Sequence, residues 1–153
     1  DNTPVKPYHE RKSISTERTF QQDTIDVEHL RSVLTGMVER ITFQLRKEGK
    51  LTACVTVKIR YSNFDTYTQQ KHIPYTSLDH TLLNTANELF NKLYNRRLMI
   101  RLIGVRFSKL IYGAHQLNLF EDTPEMVNLY LAMDNIRKQY GSKAIKRAIT
   151  MRN

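Results

Sequence analysis

Residues 51–61 read Leu-Thr-Ala-Cys-Val-Thr-Val-Lys-Ile-Arg-Tyr, and their alternation restricts the fold more than any other feature of the chain. Ala53, Val55, Val57, Ile59 and Tyr61 fall on one side; Thr52, Cys54, Thr56, Lys58 and Arg60 fall on the other. Side chains of a strand point alternately to opposite faces, and Val, Ile and Tyr suit a pleated surface. The segment is therefore a strand with one buried face and one polar face. Such a strand needs a sheet covered on one side only, and amphipathic elements to cover it. Two segments have that character. Asp26 is placed to cap a helix with the apolar stripe Val27, Leu30, Leu34, Met37, Ile41 and Leu45. Arg46 and Lys47 favour its C-terminus and Gly49 supplies a stop. A second helix starts near Thr76 or Ser77, with Asp79 completing a capping box with Thr76, and its stripe is Leu78, Leu82, Ala86, Leu89 and Leu93.

Three further strands complete the pattern. Lys12 to Phe20 is β-branched and partly alternating. Ser62-Asn63 marks a turn, after which Asp65 to Ile73 sets Thr66, Thr68, Gln70 and His72 on one face. Leu98 to Ile111 is the last strand, with Gly104 a bulge or a point of close approach. The order β-α-β-β-α-β predicts an α+β fold: a four-stranded sheet with two helices on one face. Pro124 opens a third helix to about Tyr140, with a weak stripe of Val127, Tyr130, Met133 and Ile136 or Arg137, ended by Gly141; Lys143 to Ile149 is a second short helical piece. Four regions follow: a linker over 1–11, a domain over 12–111, a peptide over 112–123 and a helical tail over 124–153. The opening Asp1-Asn2-Thr3-Pro4 reads as a cut inside a longer chain, with the linker arriving from an upstream domain.

Charge narrows the function. Of the net charge of +9, residues 51–111 carry +6, with nine basic and three acidic side chains. The excess therefore coincides with the strands, and a sheet face of Thr, Lys, Arg and Gln suits phosphates better than base edges. That face offers Lys58, Arg60, Thr66, Thr68, Arg101, Arg106 and Lys109 as DNA-binding residues. No apolar run approaches the roughly 18–20 residues that cross a bilayer. The single cysteine, Cys54, lies in an apolar run and reads as a buried structural thiol. The five His are scattered without metal-ligand spacing, five Gly leave no phosphate loop, and Asp65 and Asp79 are too isolated for a two-metal carboxylate pair. No catalytic or metal-binding residues are assigned, and no cofactor is expected for these residues.

Gln116-Leu117-Asn118-Leu119-Phe120 makes neither a helix face nor a clean strand. It reads as an extended peptide whose apolar side chains enter pockets on another protein, and it closely resembles the sliding-clamp-binding motif of bacterial DNA polymerases and repair factors. Arg101 to Lys109 resembles the last strand of the little-finger domain of Y-family translesion DNA polymerases. Lys12 to Phe20 is similar to that domain's first strand, and Thr56 to Gln69 to the middle hairpin of the polymerase IV branch. The resemblance covers roughly residues 8–120. Ser15 departs from it, standing where the family commonly has Gly. The stretch Gln116 to Tyr140 is more like the C-terminal region of the UmuC branch.

The resemblance implies a non-catalytic, monomeric, DNA-gripping part of a cytoplasmic, nucleoid-associated translesion polymerase. Its partners would be damaged or primed duplex DNA and a bacterial sliding clamp, the latter through Gln116, Leu117, Asn118, Leu119 and Phe120. Mg²⁺ and its carboxylates would belong to upstream domains of the parent polymerase. The alternative is a free-standing basic α+β module for RNA or DNA. RNA-binding sheets usually expose aromatics for stacking, whereas the face here is inferred to carry hydroxyls, amides and cations.

Overall fold

The alternating segment becomes an inner strand of an antiparallel sheet. The computed structural model describes residues 12–113 and 124–140, with only the backbone over 124–130. In chain order the elements are β1 (Ser13–Thr24), α1 (Val27–Lys47), β2 (Lys50–Tyr61), β3 (Thr66–Thr76), α2 (Asp79–Leu93), β4 (Ile100–Ser108), β5 (Ile111–Tyr112) and α3 (Pro124–Tyr140). The main sheet runs β1-β4-β2-β3, and the short β5 pairs with the start of β2. The predicted α+β architecture is thus observed, with β1 reaching further than Phe20 and β5 as an addition. The 1–11 linker, the 116–120 peptide and the 143–149 piece lie outside the described residues.

The two helices seal one face. Val55, Val57, Ile59 and Tyr61 of β2 are fully buried, as are Leu30, Leu34 and Leu45 of α1 and Leu82, Ala86 and Phe90 of α2. Each buried Val, Leu, Ile or Phe side chain contributes about 1.5–3 kcal/mol. The Tyr61 hydroxyl donates to Leu93 O at 2.8 Å and accepts from Asn95 N at 3.3 Å, so its polar end is satisfied inside the core.

The ends of the helices follow local chemistry, with two corrections. Asp26 caps α1 by accepting from His29 N at 3.1 Å, and Gly49 takes φ +69° just after the helix. Val27, however, lies 37% exposed; it sits in the first turn, ahead of the buried stripe. The second helix starts later than the expected Thr76 or Ser77. Leu78 occupies the N-cap, without a side-chain cap bond of its own, and Thr76 Oγ1 accepts from Leu78 N at 3.1 Å. Asp79 Oδ1 accepts from Arg46 Nη1 at 2.9 Å. Nη1 of the same arginine donates to Ser77 O at 2.6 Å, while Nε and Nη2 grip Asp134 of α3 at 2.5 and 2.8 Å. Burial opposes the Arg46 charge, but Asp134 and Asp79 outweigh it and hold its pKa above the ordinary guanidinium value. On α3 it is Arg137, not Ile136, that turns inward: Arg137 is 6% exposed and Ile136 42%.

Candidate nucleic-acid interface

Strand register decides what the sheet presents away from the helices. Three rows cross it: Ser15–Arg106–Thr56–Gln70, Glu17–Gly104–Lys58–Thr68 and Thr19–Leu102–Arg60–Thr66. A fourth, Ser13–Ser108–Cys54–His72, closes one end. Ser15, Glu17, Thr56, Lys58, Thr68, Gln70 and Arg106 line a shallow concavity of about 380 Å³. Lys58, Arg60, Thr66, Thr68 and Arg106 therefore share one surface. On β2 the polar face is only half open: Thr52 and Cys54 are buried, and Thr52 Oγ1 donates to Ser108 O at 2.7 Å. An irregular register between Thr52 and Cys54 breaks the expected alternation there.

Gly104 is a close-approach point without a bulge. The register runs regularly through it, and a Cβ there would come within 3.0 Å of Glu17 Cγ and 3.4 Å of Thr16 O. The bare backbone lets Glu17 reach across β4 to Lys58 Nζ at 2.8 Å. That carboxylate was absent from the sequence-based site, because only strand order brings β1 beside β4 and so opposite Lys58. Arg60 Nε donates to Thr66 Oγ1 at 2.8 Å, joining two expected site residues across the hairpin. Thr56 Oγ1 is buried without a protein hydrogen-bond partner, and Arg106 is exposed. Ser15, Thr56 and Gln70 are further members that charge alone does not mark.

Two expected residues lie off the rows. β4 changes register between its pairings to Arg60 and Tyr61, and Arg101 falls at that irregularity. Its guanidinium lies 4.6 Å from the centroid of the Phe64 ring and 3.7 Å from Asp23. Lys109 follows β4 with φ +54° and is exposed at the opposite end. Among the described residues, no group of three or more His, Cys, Asp or Glu is arranged to hold a metal. Nor is any described helix long and apolar enough to cross a membrane.

A four-stranded antiparallel sheet with helices on one face and a bare polar face on the other is the fold of Y-family polymerase little-finger domains. The little-finger domain of polymerase IV, solved in complex with the beta-clamp processivity factor, superimposes with a TM-score of 0.52 at 18% identity, over 72% of this chain and 99% of that one. Residues 11–119 match the model of the impB/mucB/samB family C-terminal domain. The chain belongs to that family, and this part of it is a little-finger domain. DNA polymerase IV of Dehalococcoides mccartyi is 36% identical over 154 residues, covering 99% of this chain and 40% of that protein. The Clostridium acetobutylicum polymerase IV is 31% identical over 156 residues, covering 99% and 39%. The chain thus spans about 40% of the length of the curated relatives it matches.

Proposed function

We propose that this chain is the non-catalytic, DNA-gripping part of a translesion DNA polymerase, acting on damaged or primed duplex DNA in the cytoplasm at the nucleoid. The observation that carries the reading is the set of three cross-strand rows, which spread Lys58, Arg60 and Arg106 among hydroxyls and amides on one shallow face. Cations at strand spacing meet phosphates, and short hydroxyl side chains let the backbone of DNA approach. Arg101 and Lys109 flank this face at its two ends. Gln116 to Phe120 docks into a bacterial sliding clamp, with Leu117, Leu119 and Phe120 supplying the apolar contacts and Gln116 and Asn118 the register. The Mg²⁺ chemistry of the complete polymerase belongs to carboxylates outside this chain.

The test is fluorescence anisotropy of the chain with a labelled duplex across a salt series. With about three to five phosphates neutralised, log affinity falls against log salt at a slope near −0.9 per contact, and changing the base pairs has little effect. A salt-independent affinity, or strong sequence preference, overturns duplex gripping. For the clamp, the Leu119→Ala/Phe120→Ala variant is expected to lose binding to a bacterial sliding clamp while keeping the parent melting temperature. A parent that does not bind the clamp, with a large drop in melting temperature in the variant, assigns these residues to the core instead.

A further inference from the structure

The turn between β2 and β3 carries an aromatic residue that core packing does not account for. Phe64 adopts φ +72°, a left-handed conformation that disfavours side chains other than Gly, Asn or Asp. Its side chain is nevertheless large, and it is 64% exposed. The turn imposes this conformation through several bonds. Phe64 N donates to Tyr61 O at 2.9 Å, Asp65 N to Asn63 Oδ1 at 3.0 Å, and Ser62 N to Met99 O at 2.8 Å. A strained backbone that displays an aromatic ring to solvent points to a use for that ring.

The surroundings indicate what the ring meets. Arg101 lies over it at 4.6 Å and is itself held 3.7 Å from Asp23. Arg96 anchors the turn through Asp65 at 3.2 Å and covers the Tyr67 ring at 4.7 Å, and Arg97 beside it is exposed. A flat ring backed by one guanidinium and bordered by others is poor at holding an apolar peptide, which needs a concave apolar pocket. It suits a nucleobase, whose π-face stacks on the ring while its phosphates meet the arginines. The site lies just past the Arg60–Thr66 row, at one end of the proposed duplex-binding face.

We propose that Phe64, backed by Arg101, is a stacking site for an unpaired nucleobase where single-stranded DNA leaves the duplex. The position of that base rests on the duplex reading above; the stacking chemistry does not. The test uses the full chain with two DNA hairpins, one blunt and one with a short single-stranded extension carrying 2-aminopurine at the first unpaired position. The extension is expected to tighten binding about five- to tenfold and to change the 2-aminopurine fluorescence on binding. Phe64→Asn removes the ring yet suits the left-handed backbone, so it folds, keeps the blunt-hairpin affinity and loses both effects of the extension. Phe64→Tyr keeps them. Equal affinity for the two hairpins in the parent, or an extension effect that survives in Phe64→Asn, overturns the proposal. Should neither hairpin bind, a single-stranded oligothymidine separates the two ideas. Phe64-dependent binding of it retains the stacking site and removes the duplex reading, and no binding removes both.

Discussion

Cations meet carboxylates on both sides of this sheet, with opposite consequences. Under the helices, Arg46 is enclosed by Asp79, Asp134 and the Ser77 carbonyl, and the Arg46 and Asp79 side chains are 2% and 0% exposed. On the open face, Lys58 meets Glu17 at a similar 2.8 Å, but these side chains are 31% and 49% exposed. Distance does not separate the two; water does. Away from solvent an ion pair cannot be dissolved without stranding a charge, so it fixes how α1, the start of α2 and α3 sit together. In water the same chemistry is weak and exchangeable, so on the proposed reading Lys58 would leave Glu17 for a phosphate.

The largest expected effect tests the buried side. Arg46→Ala removes the buried cation that Asp79 and Asp134 share and should lower unfolding stability by about 3–5 kcal/mol, read as a fall in the urea midpoint. A loss below about 1 kcal/mol would break the contrast, since that is what exposed pairs give. Next comes the open face, where Arg106→Ala should flatten the salt slope of duplex binding by about 0.9 with little change in melting temperature. An unchanged slope would remove Arg106 from the phosphate contacts.

Much of the fold and of the open face was legible in the sequence, and the limits have physical causes. The period-2 run through Val55, Val57 and Ile59 and the stripes Leu30 to Leu45 and Leu78 to Leu93 identify strands, helices and core, because burial of one face is a local property of the chain. Lys58, Arg60, Thr66, Thr68 and Arg106 were legible as one face for the same reason. Glu17 was not, because its meeting with Lys58 depends on β4 lying between β1 and β2, a fact of topology and not of spacing. Asp79 was read only through its local motif, and its ion pair with Arg46, 33 residues away, was not legible. Arg101 left the face at a register change that no residue type announces.

Glu17→Gln sharpens the comparison from the other direction. Freed from its partner, Lys58 should bind duplex about two- to fivefold more tightly at low salt, and the gain should shrink as salt rises. Weaker binding would mean that Glu17 positions Lys58 instead of competing for it. The smallest effect concerns a partly exposed pair on the helix side. A hydrogen bond from Lys71, with Lys92 nearby, holds the Glu88 carboxyl below its ordinary value of 4.5. A lowered carboxylate pKa contributes stability above that ordinary value and loses it as pH falls through the folded-state value. Glu88→Gln should therefore differ slightly from the parent in melting temperature near neutrality and converge with it in acid. A gap that widens on acidification would refute the assignment.

The short β5 bears on how the two proposed attachments would combine. Leu51 and Lys50 pair with Ile111 and Tyr112, the Lys50 ammonium sits 5.0 Å from the centroid of the Tyr112 ring, and Gly113 N donates to Gly49 O at 3.0 Å. Gly113 is thus tied to the turn that follows α1, three residues ahead of the motif at 116–120. A clamp engaged by that motif would meet DNA on the sheet at an effective concentration of order millimolar. With both proposed attachments formed, neither would have to be tight for the pair to persist, and loosening either one would free the whole assembly.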